Sequence, residues 1–315
     1  RYRYVPQQTG GDSSGRIFLQ WRNWTGGQHY LFARLYQLVR HFPPPRQLAP
    51  NGVAGVIYNC NYGLAMNITI LGSGTAVPSL ERNSSGVLIQ EEGTNTLVDF
   101  GYGTLKQLLH LGITYHDIDR IFFTHNHPDH ICDLIPFLFG ARYQLSARKK
   151  DLEIVAGPGF QEFFDKLMSA FKHWLVPTEY QVHVTEIDEG SRKFGCHQVT
   201  FKKVRHIEMS RGYRFENPAG KSVALSGDTD YCQGMIDLGQ GADLMILECA
   251  MPDEEKIAGH LVPSLAGKLA KEAGCKTLCL THFYPPCDMD VMRETVSAIY
   301  GGELVLARDR MQFQL

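Results

Sequence analysis

The sequence predicts an α/β fold in which two mixed β-sheets pack face to face and helices cover their outer faces. From Met66 onward, strand-like and helix-like segments alternate. The early and late thirds of this region each pair strands with helices, whereas residues 180–227 are mostly strand-like. This arrangement favours two packed sheets with the helices outside them.

Apolar runs bounded by turn residues predict the strands, and apolar residues at helical spacing predict the helices. The run Ile121-Phe122-Phe123, for example, predicts a buried strand. The predicted strands are 67–72, 86–90, 95–100, 120–124, 152–156, 180–187, 197–205, 212–216, 222–227, 243–248, 277–281 and 303–307. The predicted helices are 103–111, 131–145, 160–173, 263–273 and 288–299.

Length and composition are those of an ordinary globular protein. The 315 residues are enough to bury a full core, and 43% of them are hydrophobic and 20% charged. No run of 18 or more apolar residues occurs, so we expect no transmembrane helix and no membrane partner. Eight scattered cysteines and the lack of a signal-peptide pattern favour reduced thiols and a cytoplasmic location.

The composition of the chain changes near Met66. Residues 1–65 contain seven arginines, no lysine and one acidic residue, for a net charge of +6, whereas residues 66–315 carry a net charge of −8. The segment that starts at Met66 leads directly into a strand, so we predict that the catalytic domain spans 66–315 and that 1–65 is a basic extension or leader. The alternative is an arm that binds nucleic acid or a partner subunit.

Residues 124–130 contain four side chains that can bind metal, directly after a buried apolar run: His125, His127, Asp129 and His130. His125 and His127 are two residues apart and point the same way in extended backbone. The adjacent Asp129 and His130 can face different ions in a tight turn. Imidazole together with carboxylate favours Zn²⁺ or a similar ion. The spacing therefore predicts two ions rather than one.

Three later strand-like runs each end in a further candidate ligand, namely His206, Asp228 and His282. Functional groups often lie where a strand gives way to a loop. Each signal is weak by itself, because a lone histidine is commonly structural and Asp228 could belong to a turn. Together with the first cluster, they supply the ligands that a dinuclear centre needs.

In this order the candidate ligands resemble those of the metallo-β-lactamase superfamily, over residues 66–315. The resemblance implies a four-layer αββα sandwich with the site at one edge of the two sheets. It implies one ion on His125, His127 and His206 and the other on Asp129, His130 and His282, with Asp228 bridging. Asp99 matches the first motif of the superfamily, which implies that it orients a ligand histidine.

Within the superfamily, the ribonuclease Z and phosphodiesterase branch is the most similar. The likeness lies in Leu71–Thr75, Arg82–Gly86, Asp99–Thr104 and Thr281–Phe283. In that branch a glutamate and a later histidine form a catalytic dyad. Glu248 and His260 are the candidates here, and we also predict a catalytic role for the ligand Asp129. The resemblance further implies a homodimer.

Ribonuclease Z carries a long basic arm that grips transfer RNA, whereas residues 156–160 here run directly into a helix. We therefore predict a dinuclear phosphodiesterase that uses a metal-bridging hydroxide on a small or nucleotide-like diester. Transfer RNA is disfavoured, and activity on activated esters is plausible. Zn²⁺ is the expected ion, although Mn²⁺ or iron fits the same ligands.

Two other functions remain open on the sequence alone. A lactonase or β-lactamase would use the same hydroxide on a ring carbonyl, and a nucleic-acid-binding protein would use the basic residues 1–65. Arg211 and Arg214 follow His206 closely and are candidate contacts for a substrate phosphate. The basic group Arg148-Lys149-Lys150 is expected to be a solvated surface.

Overall fold

The computed structural model describes residues 65–315. The predicted extension therefore lies, except for residue 65, outside the described residues. The strands are β1 (Asn67–Gly72), β2 (Gly86–Glu91), β3 (Thr94–Val98), β4 (Arg120–Phe123), β5 (Leu152–Ala156), β6 (Val182–Glu186), β7 (Gly190–Phe194), β8 (His197–Lys203), β9 (Arg211–Glu216), β10 (Ser222–Leu225), β11 (Leu244–Glu248), β12 (Thr277–Thr281), β13 (Glu303–Leu306) and β14 (Gln312–Gln314). The α-helices are α1 (Thr104–His110), α2 (Pro128–Ile131), α3 (Leu134–Gly140), α4 (Phe160–Phe171), α5 (Gln233–Gly239), α6 (Pro263–Ala273) and α7 (Met289–Ser297).

The strands form two sheets of seven within the described region, and both sheets are mixed, as predicted. The first has the order β14-β1-β2-β3-β4-β5-β6 and the second β13-β12-β11-β10-β9-β8-β7. Strands β3 to β6 run parallel, as do β10 to β13, while the remaining neighbours are antiparallel. Parallel strands end at the same edge of a sheet. The loop after β4 therefore lies at this edge of the first sheet, and the loops after β10 and β12 lie together at one edge of the second.

Strand β4 shows how the core joins the layers. Phe122 contacts three aromatic rings of the second sheet, with ring centroids 5.0–5.2 Å apart, at Phe194, Tyr213 and Phe215. Phe123 points to the other face and stacks on Phe160 of α4 at 5.3 Å. Because side chains alternate along a strand, one apolar run fills two layers. Each buried aromatic ring stabilises the fold by roughly 1.5–3 kcal/mol.

The predicted helix over 131–145 is wrong in its bounds. The chain forms two short helices instead, α2 and α3, separated at Cys132 and Asp133. Pro136 explains the break, because a proline is tolerated in the first turn of a helix but would clash with the carbonyl four residues earlier in a continuous one. Pro128 begins α2 directly after His127, which is a favoured position for proline.

Two further details of the sequence interpretation are tested by the fold. Arg148 is buried, not solvated, and donates hydrogen bonds to the backbone oxygens of Tyr115, Ile118 and Asp151. The expectation for that side chain was therefore wrong. The seven cysteines of residues 65–315 are free thiols, as predicted. In the same residues, no helix has both the length and the apolar character needed to cross a membrane.

Candidate metal centre

The predicted ligands converge where the two sheets meet at one edge. The first sheet supplies those that follow β4, and the second sheet supplies those that follow β8, β10 and β12. The seven predicted ligands form two groups, each with all its atoms within 4.8 Å of one another, and Asp228 and His282 also form such a group with His260. The first group is His125, His127, His206 and Asp228, and the second is Asp129, His130 and His282.

The first group is centred on three imidazole rings. Nε2 of His206 lies 3.1 Å from Nδ1 of His127. Oδ2 of Asp228 lies 3.6 Å from Nε2 of His125 and 3.9 Å from Nε2 of His206. This set of nitrogens and one carboxylate oxygen has the composition and spacing that a tetrahedral ion requires.

The second group faces the other oxygen of the same carboxylate. Oδ1 of Asp228 lies 3.1 Å from Nε2 of His130 and 3.3 Å from Nε2 of His282. Oδ2 of Asp129 lies 3.8 Å from each of these nitrogens. Asp228 thus presents one oxygen to each group, which is the geometry of a carboxylate that bridges two cations.

Unpartnered polar atoms show that these residues fit metal ions. Among the described residues, Nε2 of His125, His130 and His282 and Oδ1 of Asp228 are buried at the centre without a hydrogen-bond partner, and Nδ1 of His282 lacks one as well. A single buried polar atom left in this way costs about 1–3 kcal/mol. Four of them in one cluster, all of types that bind first-row divalent ions, are explained by cations that would accept their lone pairs.

Hydrogen bonds on the far side of two rings set their tautomers. Nδ1 of His206 donates to the carbonyl of Gly259 at 2.9 Å, and Nδ1 of His130 donates to Oδ2 of Asp99 at 2.7 Å. Each ring therefore keeps its Nε2 lone pair for the centre. The contact to His130 is the role that the sequence predicted for Asp99.

Asp99 also holds the start of the first ligand segment. Its Oδ1 accepts from the backbone N–H of Thr124 at 2.8 Å, and the Thr124 hydroxyl lies 2.9 Å from its Oδ2. The backbone of Asp99 has a φ of 61°, in the left-handed region. Non-glycine residues there are uncommon and occur where surrounding contacts hold them. This buried aspartate fixes both Thr124 and His130.

The electrostatics of the centre favour ligand-competent protonation at three of the histidines and at Asp228, whereas His130 differs. Burial acts to lower the pKa of His130, but Asp228 and Asp99 outweigh it and raise that pKa well above the usual value, so a bound cation would have to displace a proton from this ring. Burial lowers the pKa of His125, His206 and His282 below the usual histidine value, which keeps these rings neutral. Burial acts to raise the pKa of Asp228, but His130 and His282 outweigh it and hold that pKa well below its usual range. Neutral imidazoles around an ionised carboxylate are what a divalent cation binds.

Glu248 and His260, the predicted dyad, lie together beside Asp228. Nδ1 of His260 is 2.9 Å from Oε1 of Glu248 and 4.0 Å from Oδ2 of Asp228. Glu248 is buried and accepts from the backbone N–H groups of Thr229 and Ala250. Burial raises the pKa of Glu248 to about 7. Burial alone would lower the pKa of His260, but the hydrogen bond to Glu248 outweighs burial, so the net effect is a raised pKa.

Some contributors were not predicted from the sequence. The Tyr284 ring lies edge-on to His282 at 5.9 Å, and burial followed by the charges of Asp129 and Asp228 raises the pKa of its phenol. The carbonyl of Ser73 accepts from the backbone N–H of His282 at 3.0 Å. Tyr284 follows His282 by only two residues, and that closeness was an available signal. The contact between Ser73 and His282 joins segments that are far apart in the sequence, so no sequence pattern could have predicted it.

The suggested phosphate contacts at Arg211 and Arg214 are wrong. Arg211 is buried, pairs with Asp188 at 2.6 Å and donates to nearby carbonyls. Arg214 donates to the carbonyls of Leu238 and Gln240. Both guanidinium groups therefore stabilise loops of the second sheet. Nearness in sequence to His206 did not leave either guanidinium free for a phosphate, because carboxylate and carbonyl oxygens already engage both.

Comparison with known proteins agrees with this geometry. A family model described as "Beta-lactamase superfamily domain" matches residues 94–283. The chain belongs to this superfamily. Ribonuclease Z of Brevibacillus brevis is 28% identical over 276 residues, which cover 70% of this chain and 86% of that protein. Ribonuclease Z of Streptomyces coelicolor is also 28% identical, over 77% of this chain and 95% of that protein.

Solved structures of the superfamily match the described fold. The metallo-beta-lactamase fold protein YhfI from Bacillus subtilis has a TM-score of 0.71 and 25% identity, covering 80% of this chain and 100% of that chain. The short form of human tRNase Z has a TM-score of 0.64 and 28% identity, covering 79% of this chain and 98% of that chain. The predicted fold and the prediction of a metal-dependent hydrolase of the ribonuclease Z-like branch are both confirmed.

Proposed function

We propose that the chain hydrolyses phosphodiesters with a pair of divalent ions, and that Zn²⁺ is the ion bound. The observation that supports this most directly is the Asp228 carboxylate, which offers one oxygen to each of two groups of ligands. Such an arrangement is expected of sites that hold two ions roughly 3.5–4 Å apart. The relatives named ribonuclease Z make a phosphodiester the favoured substrate class.

When bound, the two ions would supply Lewis acidity toward a phosphoryl oxygen and a water of lowered pKa as nucleophile. The protein's own residues then have three tasks. Asp99 and Gly259 orient ligand rings through Nδ1. Glu248 holds Nδ1 of His260, which leaves Nε2 of that ring to donate a proton to the leaving oxygen. Asp129 adds negative charge beside His282 and is proposed as both ligand and catalytic residue.

A small or nucleotide-like diester is proposed in preference to transfer RNA. Three residues, 157–159, connect β5 to α4, so the chain inserts no arm at this point. The net charge of −8 over residues 66–315 also differs from the basic footprint of nucleic-acid binders. A homodimer is proposed from the family resemblance, and light scattering of the purified chain tests it.

A substrate panel separates the competing activities. The Zn²⁺-loaded chain is assayed on bis-p-nitrophenyl phosphate, a nucleotide p-nitrophenyl diester, a lactone, a β-lactam and a precursor transfer RNA. We expect hydrolysis of the phosphodiesters, with activity at least 100-fold lower in His127→Ala. His183→Ala is the control and should keep full activity, because His183 is an exposed residue of β6 that pairs with Asp151. Hydrolysis of the ring substrates alone would identify a lactonase or β-lactamase instead.

The nucleic-acid-binding alternative has its own test. Replacement of the seven arginines of residues 1–65 by glutamine leaves the metal ligands untouched. If the basic segment binds RNA, affinity falls and its salt dependence weakens while diester hydrolysis persists. Unchanged RNA binding in that variant would exclude the segment as the binding element.

A further inference from the structure

A second cluster of potential ligands lies at the end of the sandwich opposite the centre described above. Glu91 ends β2 on the first sheet, while Cys196 and His197 lie at the hairpin between β7 and β8 on the second sheet. Strand β2 begins at Gly86, near Asp99. Five residues of extended strand therefore separate Glu91 from that end, which is roughly 17 Å.

Three ligand atoms of different chemical types face one another in this cluster. Oε2 of Glu91 lies 2.6 Å from Nε2 of His197 and 3.9 Å from Sγ of Cys196. Sγ of Cys196 lies 4.0 Å from Nε2 of His197 and 3.8 Å from Nδ1 of the same ring. A triangle with these sides has a point about 2.1 Å from all three corners, and zinc lies about 2.0–2.3 Å from oxygen, nitrogen and sulfur ligands.

The surroundings hold the ligands in place and leave one side open. Glu91 and His197 are buried, and Nδ2 of Asn217 donates to Oε1 of Glu91 at 2.8 Å, which fixes the carboxylate with Oε2 toward the ring. Cys196 is only half-buried, so an ion and a coordinated water have access from solvent. The nearby Arg120 is paired with Glu153 at 2.7 Å.

We propose that Glu91, Cys196 and His197 form a third metal site, separate from the catalytic pair, that takes a thiophilic divalent ion such as Zn²⁺. The three side chains come from both sheets, so a bound ion would join β2 to β8 at this end. Binding displaces the thiol proton to solvent and replaces the Glu91–His197 hydrogen bond by two bonds to the ion. The imidazole then carries its proton on Nδ1.

Cobalt substitution gives a readout specific to this site. The catalytic ligands are all histidine and aspartate, whereas the proposed site contains a thiolate. The apo full-length chain loaded with Co²⁺ should therefore show a near-ultraviolet thiolate-to-cobalt charge-transfer band. Elemental analysis should find three ions per chain. Cys196→Ser should lose the band and one ion, and its diester hydrolysis should be unchanged.

Matched variants make the result decisive. Cys275→Ser removes a thiol that contacts the Ala270 carbonyl and the Tyr300 hydroxyl, and it should keep both the band and the third ion. Cys196→Ser keeps the Glu91–His197 pair, and circular dichroism checks its fold. Glu91→Gln should weaken Co²⁺ binding at this site by at least 10-fold. A wild-type chain without the band, or a band that persists in Cys196→Ser, would overturn the proposal.

Discussion

At the scale of single residues, Asp99 connects the scaffold to the centre. It accepts from the Thr124 backbone and from Nδ1 of His130, and it does so from a left-handed backbone conformation. Asparagine tolerates that conformation but offers one acceptor oxygen instead of two. The hydrogen bonds to Thr124 and to Nδ1 of His130 therefore depend on the two carboxylate oxygens of Asp99, and a side chain of the same shape does not replace them.

We expect Asp99→Asn to fold and to bind the ion on the His130 side about 10–100-fold more weakly, because the ring loses its orienting acceptor. Competition with a chromophoric chelator measures this affinity. Asp119→Asn is the matched control, since Asp119 also accepts a backbone N–H, that of Asn95, without contacting a ligand histidine. Equal affinities in the two variants would contradict the role assigned to Asp99.

A pH prediction follows from the Glu248–His260 pair. The Glu248 hydrogen bond and charge outweigh burial and raise the pKa of His260, so this carboxylate favours the protonated ring. A protonated acid is lost as pH rises through its pKa. In Glu248→Gln the His260 pKa falls, and activity should decline at a lower pH than in the wild type. The dependence of kcat on pH in the wild type and in Glu248→Gln tests this, and kcat in His260→Ala should be about 10²–10⁴-fold lower. If kcat falls at the same alkaline pH in the wild type and in Glu248→Gln, the dyad is contradicted.

Residue types and their order were enough to predict which seven candidate ligands the fold brings together, and that Asp99 lies beside one of them. Their partners were harder to foresee. The carbonyls of Ser73 and Gly259 hold His282 and His206, and a backbone oxygen carries no sequence signal. Arg211 was misjudged for the opposite reason, since its charge suggested a contact to a substrate phosphate although its hydrogen bonds make it structural.

At the scale of elements, α2 carries Asp129 and His130 and packs directly on the backbone of the loop that follows β3. A Cβ atom placed on Gly101 would lie 1.9 Å from the carbonyl oxygen of Asp129. Phe100 N–H donates to the carbonyl of His130 at 2.7 Å. The glycine is thus needed for close approach rather than for an unusual φ.

We expect Gly101→Ala to displace α2, to cost about 1–3 kcal/mol of unfolding free energy, and to weaken the second ion site more than the first. Gly140→Ala in α3 is the control, because nothing lies within 4 Å of the added methyl and alanine favours helix. Chemical denaturation and metal titration of both variants provide the comparison. A Gly101→Ala protein with two intact sites would refute this account.

Asp243 ties three parallel strands together at their start. It accepts from Ser222 N–H at 2.9 Å and pairs with Lys276 at 2.7 Å. Burial acts to raise the pKa of Asp243, but these contacts lower it overall. A folded-state pKa below the unfolded value gives stability that is present above about pH 4 and lost as pH falls through the folded pKa.

Asp243→Asn should therefore reduce the unfolding free energy by about 1–2 kcal/mol at pH 7 and by less near pH 3. Urea denaturation at both pH values measures the difference. Asp237→Asn breaks an exposed pair with Lys202 and should change stability by less than about 1 kcal/mol at either pH. A constant deficit for Asp243→Asn across this range would show that its ionisation is not involved.

Most strands were predicted to within two residues, because their apolar runs are buried and bounded by turn residues. The exceptions lack that signal. Strand β7 is mostly exposed and has no apolar alternation, so only its pairing with β8 defines it. Strand β14 is only three residues long and is defined by its pairing with β1, which lies at the other end of the domain's sequence. Helix α5 has seven residues and ends in glycine, which hides its helical pattern.

At the scale of the whole molecule, ions should contribute measurably to stability. The unpartnered buried atoms of the centre are satisfied only when cations are bound. Zn²⁺ at 100 times its dissociation constant would stabilise each site by about 2.7 kcal/mol. We expect calorimetry to show a Tm that falls after chelation and recovers with Zn²⁺, with a smaller recovery in His127→Ala. A Tm indifferent to chelator would be incompatible with the proposed ion pair.

The fold class and the hydrolase chemistry could be predicted because they depend on patterns spread over residues 66–315. The substrate could not, since it depends on the shape of loops around the centre rather than on the ligands. The prediction for residues 1–65 stands outside the described structure. Physically, ligands are fixed by coordination chemistry, whereas a substrate is selected by many weak contacts that differ between relatives.

The division of the ligands between the sheets has a consequence for how the protein matures. His125, His127, Asp129 and His130 follow a strand of one sheet, whereas His206, Asp228 and His282 follow strands of the other. On the proposed assignment of ligands, neither ion would gain its full set until both sheets have formed and docked. Metal uptake would then be a late step, and a newly made chain would have to reach its tertiary structure before becoming an enzyme.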